Sequence, residues 1–382
     1  MRKAFPRPVL LGLLASLFLT GCVRQVGSSP APATPTRGTP TATSVPATPP
    51  STPTVQQPPT PSEVKISHST VAELREIYHL ETYWVDDLAW SPDGQRFAVV
   101  AWPDASAAWP EAQMYDADTG ELLWSQEVLA SDGLEFGPDG DNIALLRYPY
   151  GLISIDATTG KIAESYDPEN PCGGGVLAFM GFAVGGDIVV GVSGMDDPDW
   201  PTELYAWSAS SGECLGALFQ VGSDPRSASF DPDGRLLAIG RYAGDQPPSY
   251  VVEVWDLESR SLRCTTAGSL VEFNHAGDLL AVHDRATGSV SVVDPGTCEK
   301  IRAFENLEPL QDLAFSRDDS MLAAAAGRIF VWDSQTGSLL ANLRGTEGGV
   351  RELEFSPDGR FLLTASSTAG SDRISLWAVA ED

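Results

Sequence analysis

The chain has 382 residues, 42% of them hydrophobic, enough for one large all-β domain or two ordinary ones. Its formal charge is −28: five of the 24 basic residues and none of the 52 acids fall before residue 63, so the remainder holds 19 basic against 52 acidic side chains, a net of −33. Such a surface repels phosphate backbones and anionic headgroups, which argues against nucleic-acid binding and leaves solubility, or steering of a cationic partner, as the use of the charge.

The first segment reads as an address. Arg2, Lys3 and Arg7 flank the start of an apolar run from Val9 to Leu19, the layout of a secretory signal peptide and too short for a membrane-spanning helix. The run ends in Leu19-Thr20-Gly21-Cys22, which resembles the lipobox of bacterial lipoproteins. That resemblance implies removal of residues 1–21, acylation of Cys22 and attachment through the lipid to the outer face of a cell membrane, so that the protein works outside the cytoplasm. Residues 28–62 hold eleven prolines and nine threonines and too little apolar surface to offset the cost of ordering. Residues 22–62 therefore read as the lipidated cysteine and a disordered, locally polyproline-II linker, able to reach roughly 100 Å at about 3.1 Å per residue.

From residue 63 to 382 the chain repeats itself. One half of the unit is an apolar strand, an aromatic residue and a Pro-Asp-Gly turn: LAWSPDG (88–94), LEFGPDG (134–140), ASFDPDG (228–234) and LEFSPDG (353–359), with looser copies VEFNHAG (271–277) and LAFSRDD (313–319) and a degenerate one near 177–187. Asp-Gly between two strand patterns is a hairpin signal, because glycine accepts the positive φ of a tight turn. The other half is a strand, often ending in Trp-Asp, a turn and a further strand, as in VEVWDLESRSL (252–262) and IFVWDSQTGSLL (329–340). The aromatics Trp90, Phe136, Phe182, Phe230, Phe273, Phe315 and Phe355 recur every 40 to 48 residues. Four short strands in that length make one propeller blade. The expected fold is all-β: a seven-bladed β-propeller of four-stranded antiparallel blades.

These residues resemble the WD-repeat family of β-propellers, with Trp-Asp complete at Trp255-Asp256 and Trp332-Asp333 and partial at Trp207 and Trp377. The Gly-His of that family is absent, so its buried His-centred network is not expected. TolB-type propellers, with aromatic-Ser-Pro-Asp-Gly turns, are a more distant resemblance. So are quinoprotein-type propellers, whose Asp-x-x-Thr-Gly-x-x-x-Trp occurs once, as DADTGELLW (116–124), so the repeated docking pattern of that family is not expected.

The seventh copy ends after its third strand. Residues 73–80 precede the first blade and are expected to pair against 374–380, closing the ring with an N-terminal strand and covering an otherwise open edge. Thr70-Val-Ala-Glu73 resembles a capping box and predicts a helical turn before that strand. Four cysteines follow the linker: Cys172, Cys214, Cys264 and Cys298. An even number in an exported chain suggests disulfides. Cys214 and Cys298 read as the same repeat position, each in Gly-x-Cys just after a third strand, and Cys172 and Cys264 both precede a first strand. That parallel favours Cys172–Cys214 and Cys264–Cys298, each spanning one blade.

The loops between second and third strands share the face on which propellers most often bind ligands. In blades one to four they read AWPDASAAWP (101–110), RYPYG (147–151), SGMDDPDWPTE (193–203) and RYAGDQPPSY (241–250). They place Trp102, Trp109, Tyr148, Tyr150, Trp200, Tyr242 and Tyr250 on one side of that face, and the same loops in blades five to seven hold no aromatic. A one-sided aromatic rim is the candidate ligand-binding site. No catalytic motif is found, no metal spacing joins His68, His79, His275 and His283, and no cofactor is implied. The expected function is a non-enzymatic, monomeric binding module for a protein, peptide or glycan. The alternative is a propeller hydrolase or lyase acting on an extracellular polymer. Two acids about 5 to 9 Å apart in the central channel, with a base beside them, would favour the enzyme, and a channel filled with apolar side chains the binding module.

Overall fold

The computed structural model describes residues 63–128, 130–147, 152–165, 177–183, 188–193, 202–208, 214–221, 225–245, 248–304, 309–345, 348–368 and 370–379. Among them are seven four-stranded antiparallel sheets. Six use consecutive strands: residues 84–127, 130–165, 177–221, 225–267, 270–304 and 312–343 form blades one to six. Blade seven takes three strands from 350–379 and its outer strand from the opposite end of the chain. Leu74–Thr82 pairs antiparallel with Asp372–Val379, from Leu74 opposite Val379 to Thr82 opposite Asp372. Each inner strand touches the next around the ring, and Trp84–Trp90 meets blade seven. The fold is the seven-bladed propeller expected, closed by the N-terminal strand.

The Asp-Gly turns form for the reason the repeat suggests. Gly94, Gly140, Gly234, Gly277 and Gly359 take φ between +63° and +78°. In the Ser-Pro-Asp-Gly copies the serine hydroxyl closes the turn: Ser91 Oγ donates to Asp93 Oδ1 at 2.6 Å and accepts from Arg96 N at 3.0 Å. In the sixth copy Asp319 takes the glycine position at φ +58°. Its carboxylate accepts from His275 N and Ala276 N of blade five at 2.8 and 2.9 Å, which compensates the strained backbone. The turns between third and outer strands are held by the aspartate at or just past the end of the third strand. Asp116, Asp156, Asp294 and Asp333 each accept the backbone N–H of the threonine three residues on, and Asp256 that of Ser259.

The apolar core lies between blades, because alternate residues of each strand face opposite neighbours. Phe97, Trp207, Trp332 and Trp377 are buried there. Outer strands add a second contact by reaching the following blade's outer turn. Trp124 Nε1 donates to Ala157 O of blade two at 3.0 Å, and Tyr78 of the closing strand donates to Ala117 O of blade one at 3.1 Å. The single Asp-x-x-Thr-Gly-x-x-x-Trp copy therefore docks its tryptophan after all, while other side chains serve elsewhere.

Two local expectations are corrected. Val71–Glu73 is a single 3-10 turn, but Thr70 makes no side-chain cap; its hydroxyl donates to Lys65 O at 3.0 Å and accepts from Ser67 N at 2.9 Å. Cys264 and Cys298 form a disulfide with Cα atoms 5.7 Å apart. It joins the outer strand of blade four to the outer turn of blade five, crossing a blade interface instead of spanning one blade. Cys298 sits in the turn at φ +59°, whereas Cys214 opens an outer strand opposite Trp207, so the two are not equivalent positions. Cys214 is also disulfide-bonded. Cys172 lies outside the described residues.

Candidate functional site

In Leu134-Glu135-Phe136, Val271-Glu272-Phe273 and Leu353-Glu354-Phe355 the apolar residues are buried in interblade cores and the central glutamate lines the channel. Seven carboxylates line the upper chamber, a cavity of about 590 Å³: Asp86, Asp87, Glu135, Glu272, Asp312, Glu352 and Glu354. Two guanidiniums, Arg226 and Arg351, stand with them. Glu135, Glu272 and Glu354 also line a lower chamber of about 480 Å³, which runs to Pro92, Pro138 and Pro232 of the Asp-Gly turns. The channel is acidic along its length. The ring therefore encloses carboxylates and not the apolar channel expected of a binding module.

Several of these acids have structural work. Asp87 Oδ2 accepts Gly133 N and Leu134 N of blade two at 2.9 and 2.7 Å. Asp312 Oδ2 accepts Leu353 N of blade seven at 2.9 Å; outside the chamber lining, Asp372 Oδ2 on the third strand of blade seven accepts Val85 N of blade one at 2.8 Å. Ser227 and Ser229 do the same from blade four to Val271 N and Phe273 N of blade five, at 3.1 and 3.0 Å. Short polar side chains thus stitch one inner strand to the next. The glutamates at the middle of the channel are left facing one another.

Crowding raises their proton affinity. Burial first, then repulsion from Asp87, pushes Glu135 up to about 8. Burial and Asp312 push Glu272 up to about 8, and burial pushes Asp312 up to about 7. Glu352 and Glu354 are held well above the carboxylate range by burial and by their acidic neighbours. Glu135 stands deep in the ring yet remains exposed by area, because the channel is open, and water there tempers the shift. Asp87 and Glu352 hydrogen-bond each other, so they titrate as a pair. Among the described residues no group of three His, Cys, Asp or Glu could hold a metal ion.

The inner strands begin at the upper mouth, on the same face as the aromatic loops. Trp84 opens blade one and is 44% exposed. The Arg351 guanidinium lies 4.5 Å from its ring centroid and pairs with Asp372 at 2.5 Å. Trp102 lies opposite Trp84 on the adjacent strand, and its indole N–H donates to Asp86 Oδ2 at 2.9 Å. It is half-buried and ends the strand Arg96–Trp102, so it is not the open loop residue expected. Trp109, at 44%, and Tyr83, at 45%, are the exposed aromatics beside Trp84 in sequence or in the adjoining loop.

Tyr242 and Tyr250 are half-buried and meet edge to face at 5.4 Å across a hairpin. The strands there run through Asp245 and resume at Pro248, so 241–250 is mostly sheet where a loop was expected. Tyr148, Tyr150 and Trp200 lie outside the described residues. Sequence reasoning missed Tyr83, between the closing strand and blade one, and Trp84, the first residue of that blade, and missed the channel acids. Glu preceding the aromatic in three copies of the repeat was the available signal for the acids.

The family model for the WD domain, G-beta repeat, matches residues 337–377, from the outer strand of blade six through the third strand of blade seven. WD repeat and SOCS box-containing protein 1 of Takifugu rubripes is 40% identical over 70 residues, 18% of this chain and 16% of that protein. WD repeat-containing protein SL1-17 of Schistosoma mansoni is 30% identical over 172 residues, 43% of this chain and 55% of that protein. Telomerase protein component 1 of Rattus norvegicus is 26% identical over 299 residues, 69% of this chain and 10% of that protein. The chain thus spans about half the length of one of these relatives and far less of the others. The ring is a seven-bladed β-propeller, and one of its repeats, residues 337–377, matches the WD domain, G-beta repeat.

Proposed function

We propose that the chain is a binding module that takes a protein or peptide partner on its upper face, and that Cys22 anchors it by lipid outside the cytoplasmic membrane. The observation that carries the first part is the placement of exposed Trp84, Tyr83 and Trp109 on the face where the channel opens. Exposed aromatics on a rigid rim are the usual anchors of an interface. Proteins named for WD repeats are among its relatives, in keeping with a propeller used for recognition. The anchor rests on the sequence Leu19-Thr20-Gly21-Cys22 alone. Peptide and glycan arrays probed with the full chain test the binding reading. Trp109→Ala should remove captured signal without shifting the melting temperature, and Trp84→Ala should remove it at a cost of about 1 kcal/mol, the loss of its contact with Arg351. Retained signal in both variants removes the aromatic face from consideration. Fatty-acid labelling that survives Cys22→Ala, or never occurs, removes the anchor.

The acidic channel keeps a second reading open, hydrolysis of an extracellular polymer by a carboxylate pair. Glu135 and Glu354 are its candidates, since Asp87 and Asp312 are committed to backbone N–H groups. Turnover of a polymer by the wild type and none by Glu354→Gln would establish it.

A further inference from the structure

The upper mouth joins an exposed aromatic shelf to an acid-lined shaft. We infer that the partner of this face is a basic peptide segment, with an arginine or lysine side chain inserted into the channel and its flanking residues lying over Trp84. The inference deepens the binding-module reading and rests on it.

Charge decides the sign of the partner. The upper chamber presents seven carboxylates against two guanidiniums, and one of those, Arg351, is already engaged by Asp372 and by Val85 O at 3.1 Å. A cation inside the ring would relieve repulsion among these carboxylates, and the net charge of the propeller region would steer it there. Local chemistry decides the kind of cation. Trp84 already carries one guanidinium at 4.5 Å and still leaves 44% of its surface open, so the mouth is suited to a second stem laid against an aromatic ring. Shape decides the extent. A chamber of about 590 Å³ has room for a long side chain, and the flanking residues of the ligand lie on the face around it. A peptide fits better than a neutral sugar, because the polar groups of the shaft are mostly carboxylates, which gain most from a full positive charge.

The binding should also move protons. Burial and mutual repulsion keep the channel carboxyls partly protonated near neutrality. A cation among them favours the ionised form, so binding releases protons and tightens as pH rises.

The test uses the full chain and a fluorescent nonapeptide with a central arginine between glycine and tyrosine residues, beside counterparts carrying lysine, citrulline or glutamate. Amino-sugar and neutral oligosaccharides complete the set. The arginine and lysine peptides should bind about tenfold or more tighter than the citrulline peptide, and the glutamate peptide not at all. Glu135→Gln with Glu354→Gln should weaken arginine-peptide binding about tenfold while leaving the melting temperature unchanged or higher, since it removes like-charge repulsion. Calorimetry in two buffers of different ionisation heat should show proton release. Equal binding of arginine and citrulline peptides, undiminished binding by the double variant, or capture of oligosaccharides alone would overturn the inference. If neutral peptides bind and Trp84→Ala abolishes that binding, the face remains a binding surface and only the charge inference fails. If no member of the set binds, both readings fail.

Discussion

Gly160 gives its Cβ position to Trp124 of the preceding blade: a methyl built there would stand 2.7 Å from indole Cδ2. Gly160 also sits at φ +70°, so the turn geometry and the docked ring make the same demand. Gly160→Ala should therefore destabilise by about 2 to 4 kcal/mol, combining the left-handed backbone with overpacking. Trp124→Ala should cost a similar amount, and the double variant much less than the sum, because each removes the same contact. Denaturant melts of the three variants check this, and strict additivity would mean that the two residues act independently.

Stability should fall as pH rises through neutrality. Glu135, Glu272 and Asp312 have proton affinities raised to between about 7 and about 8. A group whose value is raised on folding takes up a proton as the chain folds. Its stabilising effect is complete below the unfolded carboxylate value, about 4, and is lost as pH passes through the folded value. At the acid end Asp256, lowered to about 2 by the Ser259 backbone N–H and by Arg263, works the other way: its effect is present above the unfolded value, about 4, and is lost as pH falls toward about 2. The melting temperature should thus be highest near pH 5 and lower at pH 8.5, and Glu354→Gln should flatten that decline. A melting temperature that rises from pH 5 to 8.5 would contradict the crowding of the channel.

Removing residues 63–82 should lower the melting temperature far more than removing residues 28–62. The first deletion strips the partner strand from Asp372–Val379 and leaves an unpaired edge. It also takes Tyr78 from its contact over Gly120 of blade one, where a Cβ would lie 3.0 Å from the ring. Scanning calorimetry on the two truncated chains decides the matter, and matching melting temperatures would deny the closing strand its role.

Cys264→Ser should destabilise by about 3 to 4 kcal/mol, since the Cys264–Cys298 bridge closes a loop between residues 34 apart in sequence. Substitution is preferable to reduction, because Cys214 is disulfide-bonded as well. An unaltered denaturation midpoint for the variant would show that the bridge constrains little of the unfolded chain.

Trp332→Ala should cost roughly 3 to 5 kcal/mol, as expected for a large ring buried between blades. Trp109→Ala should stay within about 0.5 kcal/mol of wild type, because its ring is exposed. Trp102→Ala should fall between them, since it is half-buried and frees Asp86 from its indole partner. Equilibrium unfolding of the three variants ranks them, and a Trp109 variant as unstable as the Trp332 variant would make that loop packing.

The ring is legible in the sequence because two local signals repeat together, a period-2 apolar pattern and an Asp-Gly turn. The closing strand follows from arithmetic, since one blade is a strand short. The channel is harder to see. In Leu134-Glu135-Phe136 the glutamate occupies the alternate position that any half-buried strand gives to solvent. Only closure of seven such strands turns that solvent inward and brings acids from distant segments together. Trp102 is misplaced for a smaller reason: the strand continues two residues past the apolar run RFAVV, which moves the ring from loop to strand end. The disulfide crosses blades because Cys298 is a turn residue, a distinction of two positions that Gly-x-Cys does not reveal.

The polarity of the closing strand has a practical consequence. The chain joins the propeller beside the Asp-Gly turns, where Ile66 N donates to Gly359 O at 2.8 Å, and Leu74–Thr82 then carries it to Trp84 at the opposite mouth. A biotin, fluorophore or fused domain attached ahead of residue 63 therefore joins the ring on the side away from the aromatic shelf. Sensor surfaces built through the N-terminus should leave the shelf accessible to titrant, whereas coupling through a cysteine introduced in the 103–108 loop should block it.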